Sequence, residues 1–402
     1  MTGNQTIKDT ITKKQDKFQK AALEIHAHPE VSDFEFFAQK TLTSLLEEEG
    51  FEIEHGAAGH RTGFAAAYRS EKPGPTIAFL AEYDALEGIG HGCGHNLFGA
   101  ASSLGAVALK PLLEEIGGEI RVYGTPGEEG GQNGSAKGSF VREGYFKDVD
   151  AALCVHPGAG PDNHLSSRNL ACAPVKIEFR GRSAHAAGCP EKGINALDAQ
   201  IQVYNSISVL RQQLPAGVRI HGIIENGGLA PNVIPDFTRS RYYLRAEDRY
   251  TLQEVMDKVE KIVEGAALCT GCTGSIELYQ NLVENMVITP SLDELFARNL
   301  RALGQSVEPQ SKAIAPGSSD VGNVSQVVPT IQPSISVSDE RIAGHSIEMV
   351  QACASEKGLR FVPLAAQALA LTARDLITNP DLLEKIKADH REQLIRQKEE
   401  RL

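Results

Sequence analysis

Hydrophobic and polar positions recur along this chain with two different periods, and the switches between them mark its elements. Residues 7–28 and 35–49 repeat apolar side chains every three to four positions. In the second stretch Phe36, Leu42, Leu45 and Leu46 share one side, which predicts an amphipathic helix. After the Pro73-Gly74-Pro75 turn the run to Ala81 is almost wholly apolar, as expected of a strand buried on both faces. A glycine-rich loop follows, then an Ala/Leu-rich helix over about 97–116 and strands at 119–124 and 149–155. This β-α-β alternation predicts an α/β domain, a mostly parallel sheet with helices on both faces.

The middle of the chain follows another order. A strand at 175–179 leads to a helix at 195–214, strands at 219–225 and 237–246, a helix at 252–268 and a strand at 275–279. The succession β-α-β-β-α-β is the split, ferredoxin-like α+β pattern. Past Met286 the α/β character returns, with a helix at 291–303, apolar strands near 328–337, and a long helix from Leu364 into a charge-rich tail. The chain is therefore expected to form one α/β domain (1–173 and 287–402) interrupted by an inserted domain (174–286). A length of 402 residues agrees with two domains.

Composition narrows the partners. The net charge is −12 with no basic cluster to offset it, which argues against nucleic acid or an anionic membrane surface. Residues 1–19 are polar and lysine-rich, without an apolar stretch of signal length, and no run approaches about 20 uninterrupted apolar residues. The seven cysteines, 93, 154, 172, 189, 269, 272 and 353, are odd in number and unevenly spaced, a poor disulfide framework that fits reduced thiols. A cytoplasmic location is expected.

Candidate chemistry gathers where the α/β pattern would place a ligand, beyond the carboxyl ends of the strands. After Ala81 come Glu82, Asp84 and His91-Gly92-Cys93-Gly94-His95. After Gly124 comes Thr125-Pro126-Gly127-Glu128-Glu129-Gly130-Gly131, and the strand ending at Val155 runs into His156-Pro157. Three successive loops thus bring thiol, imidazole and paired carboxylates to one edge, a donor set suited to zinc or a similar first-row ion. The pair Cys269 and Cys272, at the end of a helix with no second ligand pair nearby, is read as structural.

These stretches, with Leu80-Ala-Glu-Tyr-Asp-Ala-Leu86, Gly181-Arg-Ser-Ala-His-Ala186 and Gly344-His345-Ser346, resemble the amidohydrolase branch of the co-catalytic di-metal metallopeptidases. That branch includes indole-acetyl-amino-acid hydrolases, N-acyl-amino-acid amidohydrolases, aminobenzoyl-glutamate hydrolases and dipeptidases. The resemblance implies hydrolysis of an amide between an acyl or aminoacyl group and an amino acid with a free carboxylate. It implies two divalent metal ions per subunit, zinc by default with manganese or cobalt as alternatives, and a bridging thiolate from Cys93. Glu129 and His345 would complete one metal site, His95 and His156 the other. Glu128 would be the general base that takes the water's proton and passes it to the leaving amine. His185 would stabilise the oxyanion in the partner's site of a homodimer built through the inserted lid domain. Asn232 and Arg245 would hold the substrate carboxylate, and Gly317 and Ser318 would line the pocket. One departure stands out: other branches place a metal-binding histidine two positions before the catalytic aspartate, here Glu82 before Asp84. His95 would supply the missing imidazole, leaving Asp84 a supporting carboxylate.

Two other readings compete. A thiol hydrolase with Cys93 as nucleophile leaves Glu128, Glu129, His156 and His345 without purpose. A metal-binding protein without activity needs ligands but no free base, and Glu128 is present.

Overall fold

The computed structural model describes residues 3–131, 133–311, 313–315 and 317–399. They form two compact units: one takes in 169–285 with Gly317 and Ser318, the other the rest of the described chain.

In the larger unit strands β1 (Glu52–His55), β2 (Phe64–Arg69), β3 (Thr76–Ala81), β4 (Glu119–Gly124), β5 (Ala151–Leu153) and, late in the chain, Thr330–Ile331 form one sheet. Its order is β1-β2-β4-β3-β5 with the late strand beside β5. The pairings of β3 with β4 and β5, and of the late strand with β5, are parallel, whereas the β1–β2–β4 side is antiparallel. Every side chain of β3 is buried, and the pleat sends alternate ones to opposite faces. Ile77 and Phe79 enter a core shared with helices α1 (Gly3–Ala27), α2 (Phe36–Glu48) and α3 (His95–Ile116). Ala78 and Leu80 enter another, shared with α4 (Ala136–Arg142) and the short helix Val321–Ser325. The expected helices on both faces are therefore present, and they explain why β3 reads as an unbroken apolar run. Helix α3 is the one described helix long and apolar enough to cross a membrane by length and composition. It is enclosed by this core, its first residue His95 included.

The second unit follows the β-α-β-β-α-β order. Strand β6 (Ala171–Arg180), helix α5 (Ala196–Leu210), strands β7 (Arg219–Asn226) and β8 (Phe237–Ala246), helix α6 (Arg249–Thr270) and strand β9 (Thr273–Leu278) build an antiparallel sheet ordered β9-β6-β8-β7. Helix α6 starts where the Asp248 carboxylate accepts from the Tyr250 and Thr251 amides, and ends at Gly271 in the left-handed region. Both helices cover one face, packing on Val175, Ile177, Phe179, Tyr242 and Leu244. The other face carries Lys176, Arg241, Tyr243 and Arg245, the out-of-phase positions of the same strands. Among the described strands β7 pairs with β8 alone and forms an edge.

The chain then returns to the larger unit through helix α7 (Pro290–Ala302) and the helix and strand already placed, Val321–Ser325 and Thr330–Ile331. It ends in three helices: Ile347–Ala354, capped by Ser346, Glu356–Thr378 and Pro380–Glu399. The single terminal helix expected from Leu364 is two, divided at Asn379-Pro380. Proline has no amide to continue the ladder, and its ring disfavours helix in the residue before it.

Candidate metal centre

The loops after β3, β4 and β5 meet beyond the carboxyl ends of the strands. Gly94 is the hinge of the first. It is left-handed (φ 79°) and caps α3, and a Cβ there would stand 2.9 Å from Pro157 and 3.0 Å from Cys353 Sγ. Only glycine lets Cys93 precede the helix while His95 opens it. Gly127 does the same for the second loop: φ is 68° and a Cβ would meet Ser32 Oγ at 2.3 Å.

Three ligand sets arise in which all donor atoms lie within 4.8 Å of one another: Cys93 with His95 and His156, Cys93 with Glu129 and His345, and His95 with Glu128 and Glu129. Cys93, His95 and Glu129 each belong to two of them, and Cys93 is the member common to the His95–His156 set and the Glu129–His345 set. Its Sγ is 3.4 Å from His156 Nε2, and Glu129 Oε2 is 3.4 Å from His345 Nε2. His345 arrives from far along the chain in a left-handed conformation (φ 57°), held by its amide donating to the Gly92 carbonyl at 2.9 Å. His91 lies outside these sets, buried against His26 with ring centroids 6.0 Å apart. Burial, followed by the charges of His95 and His26, pushes its pKa down to about 3, so it stays neutral.

Asp84 has the clearest supporting part. One carboxylate oxygen accepts from His95 Nδ1 at 2.8 Å and the other from the Glu129 amide at 2.9 Å. Burial alone would raise its pKa, but the His95 charge and these hydrogen bonds hold it below the usual range. An ionised Asp84 holds the His95 ring by its Nδ1 proton and leaves Nε2 on the side of the other candidate ligands, as carboxylates do behind metal-bound histidines. The absence of a histidine at position 82 therefore leaves Asp84 with a histidine to orient, His95. His156 is prepared alike: Nδ1 donates to the Pro157 carbonyl at 2.8 Å and Nε2 faces Cys93.

These donors fit a pair of divalent cations. His95 Nε2 and Glu129 Oε1 are buried without a hydrogen-bond partner, an arrangement costly unless a cation takes the lone pairs. Burial pushes the Cys93 thiol well above its usual pKa. An unassisted nucleophilic cysteine needs the opposite shift, so the thiol-hydrolase reading loses ground. Glu128 is also pushed well upward, by burial and then by Glu82 and Glu129. Glu129 is held low: burial opposes this, but His345 and His95 outweigh it.

A buried charge cluster that sequence reading missed lies behind the ligands. Lys137 Nζ is 2.8 Å from Glu82 and 2.6 Å from Asp320, all three fully buried, and Glu82 reaches within 3.2 Å of His95 Nε2. Burial works against the ammonium, yet the two carboxylates hold its pKa above the ordinary value. A lysine among Ser135, Ala136 and Gly138 carries no local signal of this.

In the second unit His185 is exposed, and its Nδ1 accepts from the amides of Ala187 (3.2 Å) and Gly188 (2.9 Å). That leaves the ring proton on Nε2. The Asn232 carbonyl accepts from the Ala186 amide, bracing the same loop. Arg245 and Ser318 meet at 2.7 Å, while Gly317 anchors its segment by accepting from the Leu170 amide at 3.0 Å. Cys269 and Cys272 are free thiols.

Comparison with known proteins places the chain among peptidases and amidohydrolases. Residues 168–268 match the family model of the peptidase dimerisation domain. The chain is 34% identical to the Xaa-Arg dipeptidase of Mus musculus over 91% of its own length and 86% of that protein. It is 39% identical to one of the subunits of the p-aminobenzoyl-glutamate hydrolase of Escherichia coli, over 66% of this chain and 58% of that one. Its fold is that of a dinuclear metal-binding M20 peptidase of Bacillus subtilis, with TM-score 0.59 at 21% identity over 88% of this chain and 98% of the other.

Proposed function

The chain belongs to the M20 metallopeptidase family, and on that basis we propose that this metal-dependent amidohydrolase cleaves the amide joining an acyl or aminoacyl group to an amino acid with a free carboxylate. The observation that carries this reading is the sharing of Cys93 between two ligand sets with Glu128 beside them. In the proposed assignment Cys93, Glu129 and His345 hold one divalent cation and Cys93, His95 and His156 the other. The mixed thiolate, imidazole and carboxylate set suits zinc best, with manganese and cobalt as alternatives. When bound, the cations would supply Lewis acidity toward the carbonyl and lower the pKa of the attacking water.

The residues of the chain do the rest. Glu128 takes the proton from the attacking water and hands it to the leaving nitrogen. Asp84 holds His95 and the Glu129 backbone in register. His185 of the partner subunit donates through Nε2 to the oxyanion. Arg245 and Asn232 receive the substrate carboxylate, with Gly317 and Ser318 beside them. Relatives named for Xaa-Arg and for aminobenzoyl-glutamate share a free carboxylate next to the scissile amide, which supports this substrate class.

The test is a hydrolysis screen of N-acetyl amino acids and dipeptides on metal-reconstituted enzyme, before and after chelation. Cleavage that chelation abolishes and added zinc, manganese or cobalt restores is expected. Failure to cleave any carboxylate-bearing amide would sink the assignment.

A homodimer through the second unit is proposed with it. The matched dimerisation domain supports it, as do the edge strand β7, where Ile223 is 60% exposed, and α5, where Tyr204 is 49% exposed. Ile223→Lys is expected to shift sedimentation toward the monomer and to lower kcat by about 10² or more, the order of a lost oxyanion donor. A monomer as active as the dimer would remove His185 from the mechanism.

A further inference from the structure

The outer face of the second unit's sheet carries several arginines, and their partners differ in kind. Arg239 pairs with Glu178 at 2.7 Å and Arg241 pairs with Glu225. Arg245 pairs with no carboxylate among the described residues, although its guanidinium is held from three directions. Nε donates to His221 Nε2 at 3.3 Å, Nη1 donates to Ser318 Oγ at 2.7 Å, and the group lies 5.1 Å over the Tyr243 ring. Every one of these partners is neutral. A guanidinium oriented by neutral groups keeps its charge uncompensated and has donors left for an incoming anion.

We infer that His221 and Ser318 are positioning residues that lock the Arg245 guanidinium as a preformed receptor for the substrate carboxylate. The inference rests on the reading of Arg245 given above and deepens it. His221 suits the task because it sits on β7 directly across from Tyr243 on β8, two positions from Arg245 and on the same face. Its ring therefore reaches diagonally to Nε while leaning on the tyrosine at a centroid distance of 5.7 Å. It must be neutral to accept from Arg245, and burial followed by the Arg245 charge lowers its pKa in that direction. Ser318 comes from a remote segment of chain, tied down where the Leu170 amide donates to the Gly317 carbonyl. Preorganisation of this kind acts on substrate binding, because it removes the cost of ordering a long side chain at the moment of association.

The experiment uses the metal-loaded enzyme and the N-acetyl amino acids of the hydrolysis screen, with kcat and KM measured separately. His221→Phe keeps a ring on an exposed strand position and its contact with Tyr243 but removes the acceptor. It is expected to raise KM about 10-fold, the order of one lost hydrogen bond to a charged group, with kcat within about 2-fold. His221→Gln restores an acceptor near the Nε2 position and is expected to recover KM to within about 3-fold of the parent. Ser318→Ala is expected to raise KM in the same way. An unchanged KM in His221→Phe, or a Gln variant as impaired as the Phe variant, overturns the inference. Arg245→Met separates the two levels. If it raises KM steeply while His221→Phe does not, only the positioning role fails. If it too leaves KM unchanged, the assignment of Arg245 as carboxylate receiver fails.

Discussion

Glu128→Gln is expected to lower kcat by about 10³-fold or more while the enzyme keeps its full complement of metal. The estimate follows from the 10²–10⁴-fold typical of a positioned general base, taken where one group both accepts and returns the proton. Glutamine has nearly the same shape and cannot accept a proton at neutral pH. Glu128 is enclosed beside Glu82 and Glu129, and the amide fills the same space. The substitution should therefore leave the fold intact, with a thermal midpoint close to the parent's. Metal analysis, a melting curve and steady-state kinetics together make the check. A variant that holds its metal and retains a tenth of the parent rate would remove Glu128 from the proton-transfer role.

The second large effect is expected at Cys93. Because the proposed assignment gives its sulfur to both cation sites, Cys93→Ala should weaken the two together. The metal content should fall from about two ions per chain to one or fewer, with activity down by about 10³-fold, since both cations serve the reaction. Cys93→Asp, which offers an oxygen donor near the sulfur's place, should recover part of the metal and part of the rate. A thiol nucleophile predicts something else: metal content unchanged in Cys93→Ala, and no rescue by a carboxylate. Elemental analysis of the purified variants separates the two without any substrate.

Much of this centre could be read before the fold was seen, for a physical reason. A ligand at the end of a strand interrupts a hydrophobic run with a polar residue and needs a glycine to turn the chain, and both marks are visible in one dimension. His91 to His95 after β3, and Glu128-Glu129 between glycines after β4, show them plainly. The second unit's order was equally legible, because its strands bury one face and alternate. The β1–β2 side was not: Phe64-Ala-Ala-Ala-Tyr-Arg69 has too little contrast between faces to mark a strand, and its pairing with β4 supplies the missing specification. The link between Lys137, Glu82 and Asp320 was hidden for another reason. They come from separate parts of the chain, and each becomes meaningful only through the charge of the others, which no local pattern records. His221 is the same kind of case, an ordinary strand residue until Arg245 is seen beside it.

The order in which the ligands occur also bears on how the enzyme comes into being. Cys93, His95, Glu129 and His156 all precede the second unit in sequence, and His345 follows it. During synthesis the first four leave the ribosome long before the fifth exists. A nascent chain can therefore collect the donors of the His95–His156 set while the Cys93–Glu129–His345 set still lacks its last member. On the proposed assignment the second cation site is complete only once the segment that carries His345 is held against Gly92. The sequence order thus makes the last ligand of the proposed centre the one that depends on the interrupted unit being finished.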